Sequence, residues 1–197
     1  MVKCAVQGRL DEKETHTSHS RLAQAMNMSI DMDNDTAHLR LPVRIDAPLD
    51  EGEEKVPSEI SLVDAADEPF LTVAAGGSDR VPREIEARVA LAYAQDLCRQ
   101  LNEVYQILLD AAAEHPSPPP ETRVEYWIRA RRSNHGRSLS DWKMQVHVVS
   151  EDGETLTEAE GPVDTMSAEE DRNVSDQIVA LALNRAEDQL RMRSRKP

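Results

Sequence analysis

An α+β fold, a β-β-β-α unit used twice, is the architecture this sequence predicts, with antiparallel sheets and one long helix per unit packed on one face. Three observations carry that expectation. Short apolar runs of period two fall into two groups, each group precedes a long apolar run of helical period, and a proline tract divides the groups at His115-Pro116-Ser117-Pro118-Pro119-Pro120.

The first 36 residues are polar, with Met26, Met28 and Met32 scattered among Ser, Asn and Asp. Some helix is expected from Asp11 to Met26, but its apolar positions (Leu22, Ala23, Ala25, Met26) are few, so a flexible N-terminal arm or a short docking helix is expected over 1–36. Order begins at His38. Leu39, Leu41, Val43 and Ile45 alternate with His38, Arg40, Pro42 and Arg44, the pattern of a strand with one buried and one wet face. Pro42 cannot donate to a ladder and belongs at an edge. Asp46 to Pro57 reads as an acidic loop, Ile60-Ser61-Leu62-Val63 as a second strand, Asp67-Glu68-Pro69 as a turn, and Phe70-Leu71-Thr72-Val73 as a third strand ended by Gly76-Gly77.

The following helix carries the clearest local signal. Pro82 suits a first helical position, where its missing N–H is not needed. Ile85, Val89, Tyr93, Leu97, Leu101, Val104 and Leu108 recur at steps of three and four and draw one stripe. Ala90, Leu91, Ala94 and Cys98 widen it, which predicts a helix covered on more than one side. The prolines after Glu114 stop it and favour an extended spacer.

The pattern then restarts. Val124, Tyr126, Ile128 and Ala130 alternate with Arg123, Glu125, Trp127 and Arg129, and after a loop Trp142, Met144, Val146 and Val148 alternate with Lys143, Gln145 and His147. Glu151-Asp152-Gly153 has hairpin-turn chemistry and leads into Thr155-Leu156-Thr157. Ser167-Ala168-Glu169-Glu170 has the capping-box form. Val174, Ile178, Leu181, Ala182, Ala186 and Leu190 supply the second helical stripe, and Arg191, Arg193, Arg195 and Lys196 form a basic tail suited to a helix C-terminus. Aligned on element order, Leu39 answers Val124, Ile60 answers Val146, and Val89-Ala90-Leu91-Ala92 reappears as Val179-Ala180-Leu181-Ala182. The expected division is therefore an arm (1–36), a first unit (37–115), a linker (116–121) and a second unit (122–197).

A formal charge of −14 favours solubility, repels nucleic acid and anionic membrane at long range, and directs the chain toward a basic protein partner. Aromatics are few (one Phe, two Trp, three Tyr), so the core must be aliphatic. Cys4 and Cys98 form no close-spaced motif, which fits free thiols in a reducing compartment. The opening MVKCAVQGRLDEKE has no apolar run of signal-peptide type, and no segment approaches the ~20 apolar residues a bilayer span needs. A cytoplasmic location is the expectation.

Signatures of catalysis are absent from the sequence: no glycine-rich phosphate loop, no Gly-x-Ser-x-Gly elbow, no His-Glu-x-x-His helix. His16 and His19 stand three apart, but no further ligand follows at a diagnostic spacing. Asp31-Met32-Asp33-Asn34-Asp35 lacks the glycine of a calcium loop and has Pro42 where its last carboxylate belongs. No metal, cofactor or catalytic residue is nominated.

Two binding surfaces are nominated instead. The first is acidic, with Asp50, Glu51, Glu53 and Glu54 in one loop and Glu151, Asp152 and Glu154 in another; it predicts a non-enzymatic protein that binds a basic partner. One form of this reading is a nucleic-acid-mimicking inhibitor of the anti-defence type carried by mobile elements, its carboxylates standing in for phosphates. The alternative is a basic, aromatic hairpin, Arg123, Trp127, Arg129, Arg131, Arg132 and Arg137, able to stack bases or clamp phosphates. The acidic and basic loops could also meet within the chain or across a homodimer, with Trp127 as anchor.

Overall fold

The computed structural model describes residues 36–46, 59–74, 82–132, 139–163 and 167–194. The expected N-terminal arm, the acidic loop with Asp50, Glu51, Glu53 and Glu54, and the loop residue Arg137 lie outside them. Among the described residues two antiparallel sheets and two helices make a mixed α+β architecture. In chain order the elements are β1 (Thr36–Arg40), β2 (Arg44–Asp46), β3 (Glu59–Val63), β4 (Pro69–Ala74), α1 (Arg83–Ala113), β5 (Thr122–Arg132), β6 (Leu139–Ser150), β7 (Thr155–Pro162) and α2 (Ala168–Arg193). One sheet has four strands in the order β1-β5-β6-β7, the other three in the order β2-β3-β4.

The alternating run from His38 to Ile45, which reads as one strand, is two. It breaks at Leu41-Pro42-Val43, with a cis peptide before Pro42, and its halves enter different sheets. β1 pairs with β5, placing Leu39 opposite Ile128, while β2 pairs with β3, placing Ile45 opposite Leu62. Pro42 offers no N–H to either ladder. The exposed groups of the crossing are met from two directions. Asn102 of α1 accepts from Val43 N (3.0 Å) and donates back to Val43 O (2.9 Å), so a side-chain amide stands in for a strand partner. Buried Asp64, after β3, accepts from Arg40 N (3.2 Å), Ala66 N (2.7 Å) and Glu68 N (3.2 Å), which ties the end of β1 to the β3–β4 turn. A backbone N–H left dry and unpaired costs about 1–3 kcal/mol, so one carboxylate that meets three such groups defines this junction.

Both helices pack on one face of the four-stranded sheet. Tyr105 of α1 meets Tyr126 edge-on, and Thr157 Oγ1 donates to Ala182 O of α2 (3.0 Å). The buried stripe of α1 is Ala87, Ala90, Ala94, Leu97, Leu101, Val104, Leu108 and Ala111; Ile85 falls off it and stands half exposed. The widened stripe has its reason in the packing, since α1 lies against β2, β3 and β4, touches β5, and also contacts α2. On α2 the buried positions are Ile178, Val179, Ala182, Leu183 and Ala186, and Leu181 points away from them. Ile60 and Leu62 belong to the same buried cluster as Ile128, Val146 and Val179, so one core runs through both halves.

The predicted turn and cap take the expected form. Gly153 has φ +85°, a conformation a side chain resists, and its N–H donates to Ser150 O (3.0 Å). Ser167 Oγ accepts from Glu170 N (3.2 Å) at the start of α2. Among the described residues no helix is long and apolar enough to cross a membrane.

Candidate interaction surface on the four-stranded sheet

Strand alternation sends Tyr126, Ile128, Met144, Val146 and Val148 to the helices, so the residues between them define the opposite face. Register arranges that face in rows across the strands. One row is His38–Arg129–Lys143–Pro162, the next Arg40–Trp127–Gln145–Glu160, the third Glu125–His147–Glu158. Trp127 is central. Arg40 lies over its ring, 4.9 Å from the centroid, and the His147 ring stands 5.4 Å away on the adjoining strand.

The cations of this face are matched by carboxylates of the same chain. Glu125 pairs with Arg40 (3.2 Å) and Arg123 (3.0 Å), and Glu160 pairs with Arg129 (3.0 Å) and Lys143 (2.9 Å). Hydrogen bonding from Lys143, helped by Gln145 and the charge of Arg129, holds the Glu160 carboxyl below its usual range against a smaller opposing effect of burial. Burial pushes the His147 imidazole down more than Glu158 and Glu125 lift it, and His38 and Arg40 add to the depression. Trp127 Nε1, His147 Nε2 and Gln145 Oε1 are buried and have no hydrogen-bond partner among the described residues.

Of the basic and aromatic residues picked out from the sequence, Arg123, Trp127 and Arg129 share this face, and exposed Arg131 lies past the β5–β6 register shift, 3.6 Å from Asp141. Arg132 closes β5, its side chain outside the described residues. Glu151 and Asp152 form the exposed β6–β7 turn, where Glu151 N donates to Glu121 O, so Glu121 joins them at that end of the sheet. Glu154 is different: Arg193 of α2 grips both its oxygens (3.0 and 3.3 Å) and holds its carboxyl below the usual range. No cation among the described residues pairs with Glu151 or Asp152.

Arg40, Glu125, Gln145 and Glu160 were not legible as site residues. Gln145 and Glu125 show only as outward positions of their strands, and Arg40 reaches Trp127 because β1 pairs with β5 across more than 80 residues of chain. Among the described residues no group of three or more His, Cys, Asp or Glu is placed to hold a metal ion. The geometry is that of a patterned surface with an aromatic centre. Compared with protein-family models, with curated proteins and with solved structures, the chain matches none.

Proposed function

We propose that this chain is a non-enzymatic interaction protein that binds a basic protein partner through the acidic end of its four-stranded sheet. One observation carries the reading: the cations of the sheet face are answered by Glu125 and Glu160, whereas Glu151 and Asp152 stand exposed at the turn with no pairing cation among the described residues. These two carboxylates belong to the excess charge of −14 and stand where a partner can reach them. Asp50, Glu51, Glu53 and Glu54, outside the described residues, are proposed as further acidic contacts. The partner is sought in the cytoplasm, where Cys98 stays a thiol; its partial burial raises its pKa and blunts its reactivity.

Capture on the immobilised full-length chain from its native host, read by mass spectrometry, is expected to return a basic protein. Its affinity should fall between about 0.05 and 0.3 M salt, because the Debye length shrinks through ~10 Å near 0.1 M and exposed charges are then screened from one another. Charge reversal by Glu151→Lys with Asp152→Lys should weaken it about tenfold, or 1.4 kcal/mol. Binding unmoved by both salt and reversal overturns the proposal. If the partner is itself a nucleic-acid-binding protein and loses nucleic acid on binding, the phosphate-mimicking form of the reading is supported. The alternative, a nucleic-acid surface on Arg123, Trp127 and Arg129, requires those arginines to leave Glu125 and Glu160, and a gel shift at low salt with single-stranded DNA and RNA tests it.

The proposal extends to the build of the chain, as two copies of a β-β-β-α unit. The succession β2-β3-β4-α1 and then β5-β6-β7-α2, each with three consecutive antiparallel strands, supports it.

A further inference from the structure

We propose that the face of the four-stranded sheet carrying Trp127 is a self-complementary surface that docks a second copy of this chain about a two-fold axis. The axis lies in the plane of the interface, across the strands, along the row Arg40–Trp127–Gln145–Glu160. Charge is unequal on its two sides. The neighbouring row on one side holds Arg129 and Lys143, and the neighbouring row on the other holds Glu125 and Glu158. Half a turn about this axis keeps each strand over its counterpart, so Arg129 of each copy lies over Glu125 of the other and Lys143 over His147, while Arg40 and Glu160, on the axis, keep their in-chain partners Glu125, Arg129 and Lys143. An axis parallel to the strands would set like against like. An isologous contact needs one patch to complement itself, and this inversion of charge from row to row meets that need.

The centre of the patch suits the same occupant. Trp127, flanked by Arg40 and His147, lies on the axis and meets its own counterpart, and Trp and Arg are the residues most enriched where an interface excludes water. Trp127 Nε1, Gln145 Oε1 and His147 Nε2 have no hydrogen-bond partner among the described residues. Both helices occupy the other face of the sheet and do not obstruct docking. A polyanion fits this face less well, because its one basic row shares the face with Glu160 and with the acidic row of Glu125 and Glu158. The inference does not rest on the basic-partner reading, which uses the turn at Glu151 and Asp152, and the two fail separately.

Light scattering on the eluting full-length chain, over a range of concentrations at about 0.15 M salt, tests the proposal; the Debye length of ~8 Å there screens the net charge of one copy from the other. A dimer is expected. Trp127→Ala should weaken self-association at least tenfold. Arg129→Glu with Lys143→Glu should abolish it, as should Glu125→Lys with Glu158→Lys, since each double variant opposes like charges. Mixing the two double variants should restore a one-to-one heterodimer, an outcome that misfolded proteins cannot produce. A monomer at every concentration, a dimer indifferent to Trp127→Ala and to both reversals, or a mixture that stays monomeric overturns it.

Discussion

At the scale of single residues, polar side chains at the edge of the core satisfy backbone groups where the two sheets meet. Asp64 is the clearest case, because it organises the end of one sheet and the turn of the other through backbone N–H groups alone. His147 adds a pH dependence. Its imidazole is depressed below the ordinary value near 6.5, chiefly by burial, so between that value and its own folded-state value the unfolded chain binds a proton that the folded chain does not. Stability from this group is complete above pH ~6.5 and is lost as the pH falls through the depressed value. Thermal unfolding followed from pH 7.5 to 5 should therefore show a smaller acid-side loss for His147→Phe than for the wild-type chain; equal losses would remove the role.

At the scale of elements, the contact of α2 with β7 depends on a glycine. A Cβ at Gly161 would collide with Val174 and come within 3.3 Å of Ile178, both on α2. Gly161→Ala is expected to push the helix off the strand and to destabilise the fold by about 1–3 kcal/mol, the usual cost of overpacking, measured as a lower urea midpoint. The additional deletion Val174→Ala should recover part of that loss. Elements of strong periodicity were legible without coordinates: α1 ends at Ala113 before the prolines, and the turn at Gly153 and the cap at Ser167 stand where their residues predict. Element edges were less so. β7 extends to Pro162 although only Thr155-Leu156-Thr157 reads as strand, because its partner β6 is long enough to pair with the rest.

At the scale of the whole molecule, β1 belongs in sequence to the first half and in space to the sheet of the second. The two helices contact each other, and one buried cluster joins Leu62 to Val146. A chain so interlocked should melt in a single transition, with calorimetric and van't Hoff enthalpies equal, and residues 122–197 alone, lacking β1, should not reach the stability of the whole. Two resolved transitions in the calorimeter would mean that the halves fold independently. The candidate surface is a product of the same crossing, since Arg40 arrives over Trp127 only with β1.

The amino-acid sequence by itself determined the local elements, the helix ends, the hairpin turn and the outward position of Trp127, Arg129, Lys143 and His147, because periodicity, capping and turn chemistry act within a few residues. Tertiary structure alone decided that the His38–Ile45 run divides between two sheets, that Glu125 and Glu160 answer the arginines, and that the charges fall in opposed rows. Those outcomes depend on register between strands distant in the chain, and no spacing along a sequence encodes which strand will lie beside which.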